Sequence, residues 1–435
     1  MYFTRKIDQH LTEWAAQEDR KPLLIRGARQ VGKSSSVAHL AVSFPHFVTV
    51  NFEESPRLRS IFASNLDPRR IIDALSVYYG QQIIPGETLL FFDEIQACPE
   101  AISALRFFYE KMPDLHLIAA GSLLEFALQS LPSYGVGRVR SLFMYPFSFD
   151  EFLLAMGETL LLEAKKRASF QMPLDAAIHE KLLDHLKIFL VTGGMPEVMS
   201  KYISTRRLLD SQLVLDDIYT ALRADFTKYK QTVPPARLTA VFASVVQQAG
   251  GKFVYAKAAS DSSHQQIKEA LDLLIMAGWV IPVTHTSANG LPLGAEANMK
   301  KRKMILLDTG VFQRILGLDL SDFLFFDTPV PINKGAIAEQ FWGLEYLKYS
   351  NPWSPPGLYY WHREARSANA EVDYVIPVGA RIFPVEVKSS NSGRMQSLRQ
   401  FLEDKNQPYG YRFSLENFSE YGGTKCVPLY GVSSL

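Results

Sequence analysis

The sequence predicts an α/β chain built in successive parts. These are a parallel sheet covered by helices on both faces, a helical stretch, a helix-and-hairpin middle and a second, smaller α/β unit. Three observations predict it. Short, near-continuous apolar runs alternate with helical patterns over residues 22–143. Helical spacing takes over from Phe149 to about Tyr229, and strand-like runs return near the C-terminus. A length of 435 residues suits about three domains.

The first part spans residues 1–150. Its strands are expected at 23–25, 47–50, 89–92 and 115–119, where apolar residues follow one another without alternation. Strands buried between two helical layers have that character. From 151 to 232 the spacing of Leu182, Leu183, Leu186, Phe189 and Leu190 predicts a helical lid, broken at Gly193-Gly194-Met195-Pro196. Residues 233–330 read as a helix, a polar turn at 260–263, a second helix ending at Gly278 and a strand from Trp279. That order outlines a winged helix. A linker at 329–333 leads to the last part, 331–435, with helices at 335–348 and near 394–404 around several strands.

Two motifs in the first part carry chemistry. Gly27-Ala28-Arg29-Gln30-Val31-Gly32-Lys33-Ser34 fits G-x-x-x-x-G-K-[ST] in full, with Ser35 following. It lies between a strand and an amphipathic helix, the context this phosphate-binding loop requires. Its glycines let backbone N–H groups wrap phosphates, and the helix N-terminus adds partial positive charge. Lys33 would reach the β- and γ-phosphates, and the Ser34 hydroxyl would ligate Mg²⁺. The run Leu89-Leu90-Phe91-Phe92-Asp93-Glu94 places Asp93 at a strand's C-terminal end beside that Mg²⁺, with Glu94 able to polarise the attacking water.

Further short motifs follow: Ala120-Gly121-Ser122, Gly137-Arg138-Val139-Arg140, the stretch from Pro146 to Phe152, and Thr192-Gly193-Gly194-Met195-Pro196-Glu197. With the two motifs above, they resemble the bacterial and archaeal AAA+-type P-loop ATPases that carry a C-terminal domain of uncharacterised function. The resemblance extends over essentially the whole chain. It implies ATP and Mg²⁺ as ligands, a P-loop NTPase sheet with a helical lid, and a C-terminal unit resembling the PD-(D/E)XK nuclease fold. It also makes Ser122 a γ-phosphate sensor, the alternative being a plain helix cap. Arg138, or Arg140 beside it, is expected in a loop, either as a finger supplied to a neighbouring subunit of a homo-oligomer or as a surface ion pair.

The last part has its own constellation. Residues 371–376 and 382–388 read as two strands joined by a turn, and Glu386 and Lys388, two apart, share a face. Asp373 on the neighbouring strand can join them, in the order Asp…Glu-x-Lys of a restriction-endonuclease-like site. Glu339 on the preceding helix matches that fold's accessory acid. Glu339, Asp373 and Glu386 would hold Mg²⁺, and Lys388 would orient or deprotonate a water. The alternative is a solvated Glu/Lys strand edge.

Composition excludes several classes. With 47% hydrophobic and 21% charged residues, the chain is neither disordered nor fibrous. The stretch 273–295 lacks charged residues, but Pro282 and Pro292 interrupt it, so no membrane span is expected. Two cysteines in no metal or disulfide spacing point to a reducing, cytoplasmic compartment. A net charge of +1 gives no bulk attraction to nucleic acid, so such binding rests on local patches. Lys300-Lys301-Arg302-Lys303 is either a phosphate contact or a solvated strand end. Tyr359-Tyr360-Trp361 either stacks on bases or packs a core. Two functions follow: an ATP-driven enzyme acting on nucleic acid through the nuclease-like unit, or a nucleotide switch whose last unit is an inert platform.

Overall fold

A computed structural model describes residues 2–122, 124–130, 135, 137–229, 232–259, 261–318, 334–355, 357–363, 370–389 and 395–435. The expected linker at 329–333, Ser260 of the polar turn and Arg394 at the start of the last helix lie outside the described residues. The chain forms two compact units.

The first unit comprises Met1–Pro146 together with Met276–Gly278 and Asn351–Pro355. In chain order its elements are α1 (Lys6–Ala15), β1 (Leu23–Arg26), α2 (Lys33–Ala41), β2 (His46–Asn51), α3 (Arg59–Ala63), α4 (Pro68–Tyr79), β3 (Thr88–Asp93), α5 (Pro99–Lys111), β4 (His116–Ala120), α6 (Leu124–Ser130) and β5 (Arg140–Phe143). The strands form one five-stranded sheet in the order β2-β3-β4-β1-β5, every neighbouring pair parallel. The expected strands are therefore present. Thr88 to Phe92 and all of β4 are buried, which is why their sequences are apolar on both faces. Phe52, Phe62, Phe92 and Phe108 pack edge-on on one side of the sheet. Each fully buried ring contributes about 3 kcal/mol relative to exposure.

One expectation fails here. Arg140 lies not in a loop but at the start of β5, an edge strand paired with β1. Leu142 alone is buried in it, so the strand leaves little apolar signal.

The second unit comprises Phe147–Ile275, Trp279–Ser350 and Pro356–Leu435. It opens with the helices α7 (Phe149–Ala155), α8 (Thr159–Arg167), α9 (Ala176–Thr192), α10 (Pro196–Thr205) and α11 (Leu208–Asp225). A capping box starts α7: the Glu151 N–H donates to Ser148 Oγ, and the Ser148 N–H donates to Glu151 Oε2. The break after α9 needs glycine, because a Cβ on Gly193 would lie 2.0 Å from Asp308 Oδ1. Asp308 accepts the Gly194 N–H at 2.6 Å and caps the helix that follows it.

Then come α12 (Pro235–Gln247), α13 (His264–Met276), β6 (Val280–Thr286), β7 (Ala297–Leu306) and α14 (Thr309–Ile315). The expected order of helix, helix and hairpin is present, but the hairpin does not stand free as a wing. Its strand β6 pairs in parallel with β8 (Leu358–His362), giving a four-stranded sheet β7-β6-β8-β9 that joins residues on both sides of position 330.

The remaining elements are α15 (Lys334–Tyr349), β9 (Glu371–Val372), β10 (Tyr374–Val378), β11 (Arg381–Val387), α16 (Gln396–Lys405), β12 (Gly410–Ser414), β13 (Ser419–Tyr421) and β14 (Thr424–Pro428). A mixed sheet runs β10-β11-β12-β14-β13. The run expected as one strand at 371–376 is two: β9 pairs with β8 and β10 with β11. Asp373 is the residue at which the chain changes sheets.

Candidate functional site

The phosphate loop follows β1 and ends where α2 begins. Gly27 must be glycine, since a Cβ there would lie 2.3 Å from the Met144 carbonyl oxygen. Gln30 adopts left-handed backbone with φ 63°, and Gly32 caps α2 with φ 99°. Lys33 is buried, and its ammonium donates to the carbonyls of Gly27 at 2.9 Å and Ala28 at 2.7 Å. Burial pulls its pKa down to about 8, against the opposing pull of Glu94 and Asp93.

β4 lies between β1 and β3, so the residues after β4 sit between the loop and the acids at the end of β3. Ser34 Oγ donates to Asp93 Oδ2 at 2.9 Å. Burial raises the Asp93 pKa, and the Ser34 hydroxyl opposes that shift. A hydroxyl beside a carboxylate is a fitting oxygen pair for Mg²⁺ below a triphosphate. Glu94 also has left-handed backbone, φ 48°. Non-glycine residues held in that region cluster at functional turns.

Glu94 Oε2 accepts from Gln96 Nε2 at 2.6 Å and from Ser122 Oγ at 3.4 Å. Arg29 Nε donates to Ser122 Oγ at 3.0 Å, and its guanidinium lies 3.8 Å from Glu53. The structure thus brings together Arg29, Lys33, Ser34, Asp93, Glu94 and Ser122. It adds Glu53, absent from the sequence motifs, and sets Gln96, which belongs to the motif Phe92-Asp93-Glu94-Ile95-Gln96 but had no role there, beside Glu94. The cue for Gln96 is Gly121, where a Cβ would lie 2.1 Å from Gln96 Oε1. Gly278, with φ +77°, also approaches this loop, its Cβ position 3.2 Å from the Ala28 Cβ. Arg138 stands apart from this cluster: it is exposed and ion-paired to Glu110. Arg140 lies over the Trp353 ring at 4.0 Å and donates to Gln17.

In the second unit Glu339, Asp373, Glu386 and Lys388 also meet. Asp373 Oδ2 accepts the Val387 N–H at 2.8 Å, and Lys388 Nζ donates to Glu386 Oε1. The surprise is a further cation. Lys303, from the basic run read as solvated or phosphate-facing, is buried at 4% exposure. Its Nζ lies 2.5 Å from Glu371, 3.6 Å from Glu339 and 3.8 Å from Asp373, with the Tyr360 ring centroid at 5.3 Å. Burial works against the Lys303 charge, but Glu339, Asp373 and Glu371 outweigh it and hold the ammonium above its usual range. Burial, with Asp373 adding to it, pushes Glu339 up to about 8 and Glu386 up to about 7.

Divalent metal does not fit this arrangement. An ammonium stands among the oxygens that would ligate it, and among the described residues no group of three or more His, Cys, Asp or Glu side chains is disposed to hold a metal. Glu386 Oε2 is buried without a hydrogen-bond partner, and a carboxyl titrating near 7 can carry a proton there. Tyr360 and Trp361 are buried in β8, the packing alternative for that aromatic run.

Set beside known proteins, residues 19–153 match the family described as an AAA domain. That match and the phosphate loop on its parallel sheet define the first unit as a P-loop ATPase domain of AAA type, and the chain is an ATPase. Residues 183–322 and 334–431 match two families described as domains of unknown function, DUF8612 and DUF4143. No curated protein matches the chain. Among solved structures, the Walker-type ATPase PABY2304 of Pyrococcus abyssi is 14% identical with a TM-score of 0.47, covering 73% of this chain and 96% of that one. The STAND protein PH0952 of Pyrococcus horikoshii, a signal transduction ATPase with a tetratricopeptide repeat sensor, is 12% identical with a TM-score of 0.27, covering 81% and 46%. PCH-2 of C. elegans is 14% identical with a TM-score of 0.24, covering 40% and 50%. No helix among the described residues is long and apolar enough to cross a membrane.

Proposed function

We propose that this chain is an ATP-hydrolysing nucleotide switch whose second unit is a platform for a partner rather than a nuclease. The observation that carries the hydrolytic part is the chain of side chains Arg29, Ser122, Glu94 and Gln96 beside the Ser34–Asp93 pair. In this reading the backbone of residues 27–35 cradles the phosphates and Lys33 binds the β- and γ-phosphates. Ser34 and Asp93 would hold Mg²⁺, which would neutralise phosphate charge. Glu94 polarises the attacking water, and Ser122, joined to it, reports whether a γ-phosphate is present. Gln96 and Ser122 hold one Glu94 oxygen, so a change at Ser122 reaches the catalytic carboxylate directly. Arg138, exposed on the first unit, is the group available to a neighbouring copy in a homo-oligomer.

The platform part rests on Lys303 among the acids. A second reading, an enzyme acting on nucleic acid through Asp373, Glu386 and Lys388, is favoured by the meeting of those three side chains. Glu94→Gln tests the first reading, with ATP still bound and hydrolysis lost. Unchanged hydrolysis would refute it. Metal-dependent cleavage of DNA or RNA that disappears in Lys388→Ala would decide for the second.

A further inference from the structure

The carboxylates of the second unit come from three places in the sequence. Glu339 projects from α15, Glu371 lies in β9, Asp373 lies at the switch between sheets, and Glu386 lies in β11. Like charges gathered this closely and out of water repel, and each ionised group loses hydration. Something must offset them. Lys388 reaches Glu386 from the more open side, its side chain 28% exposed.

Glu339, Glu371 and Asp373 are met from within by Lys303. β7 brings it there: Lys303 pairs with Val283 of β6, and β6 pairs with β8, whose Tyr360 ring lies under the ammonium. Arg302 before it and Met304, Ile305 and Leu306 after it are buried, so Lys303 lies within the buried end of its strand rather than closing a solvated one. A Lys ammonium is a compact point charge whose donors can face several acceptors at once. A divalent ion here would need oxygens at about 2.1–2.6 Å. With Nζ at 2.5–3.8 Å from three carboxylates, that space is taken.

We propose that the Lys303 ammonium is a built-in cation standing where a metal would otherwise be held, so that the intact chain binds no divalent metal at this cluster and gains a site when the ammonium is removed. This deepens the platform reading above, yet the two can fail separately. Cleavage of nucleic acid without metal would overturn the platform alone. Metal binding without cleavage would overturn the built-in cation alone.

The test is titration of the nucleotide-free full chain with Mn²⁺, following free metal by its paramagnetic resonance signal. Wild type should show no Mn²⁺ site that depends on Glu386. Lys303→Met, which keeps most of the stem's volume, should gain one Mn²⁺ per chain, bound at least about tenfold more tightly than any wild-type binding. Adding Glu386→Gln should remove the new site. A wild-type site that disappears in Glu386→Gln overturns the proposal. So does a folded Lys303→Met chain, checked by circular dichroism, that gains none. Should Lys303→Met not fold, the comparison of wild type with Glu386→Gln decides alone.

Discussion

Nucleotide binding at the phosphate loop should depend on pH in a direction fixed by Lys33. Its pKa of about 8 reflects burial, and its ammonium is held by the Gly27 and Ala28 carbonyls. A triphosphate brings negative charge to that ammonium and returns its pKa toward the ordinary lysine value, so binding takes up a proton wherever the free chain has lost it. Only the protonated form binds well. With a pKa of about 8, the protonated fraction falls from about three-quarters at pH 7.5 to about a tenth at pH 9, so affinity should weaken about eightfold. Stability runs the opposite way with pH. The nucleotide-free folded chain holds this proton less firmly than the unfolded one, so the Lys33 contribution improves as pH rises from about 8 toward 10.5. Calorimetry without Mg²⁺, in two buffers of different ionisation enthalpy, reads affinity and proton uptake together. Flat affinity with no proton uptake between those pH values would refute the reasoning.

Glu94→Gln should lower ATP turnover by about 10²–10⁴ while leaving affinity within a few-fold, because the amide cannot serve as a general base; steady-state hydrolysis and equilibrium binding check this. Arg138→Ala should leave the melting temperature within about 1–2 °C, since an exposed ion pair with Glu110 is worth little. The same variant should lose hydrolysis and regain part of it when mixed with Lys33→Ala chains, and absence of rescue would remove the finger role. Lys165→Met should destabilise the chain by about 3–5 kcal/mol in urea unfolding, because it leaves Asp150, 2.8 Å from the Lys165 ammonium, without its cation.

The phosphate loop was legible because its demands are local. Glycine at 27 and 32, a lysine at 33 and a hydroxyl at 34 fall within one turn between a strand and a helix. The inner strands β1, β3 and β4 were legible because burial on both faces leaves unbroken apolar runs. β5 was not, since an edge strand with one buried residue looks like a loop. Glu53 meets Arg29 through the order of strands in the sheet, which no short window displays, while Gln96 reaches Glu94 from two residues away across a left-handed turn that its sequence does not announce. The carboxylate cluster was read in outline, but Lys303 was hidden within a run of four basic residues. Lys300 is exposed and Lys303 is not, because β7 passes from the surface into the sheet along those positions. What distinguishes them is the apolar run that follows Lys303. Asp373, likewise, was read inside one strand because its neighbours are apolar on both sides, whereas the chain leaves one sheet there and enters another.

The pairing of β6 with β8 has a consequence for how this chain is made and how it can be divided. As the polypeptide emerges from a ribosome, β6 and β7 appear more than fifty residues before β8. Until then β6 offers one open edge, with backbone donors and acceptors ready to pair with any extended segment nearby. The same holds for any fragment that stops at about residue 330. It would retain the hairpin and lose its neighbour, and a fragment starting there would keep the acids and lose Lys303. The two regions recognised as separate domains of unknown function therefore share one folding unit, and exchanging either between chains would transplant half a sheet.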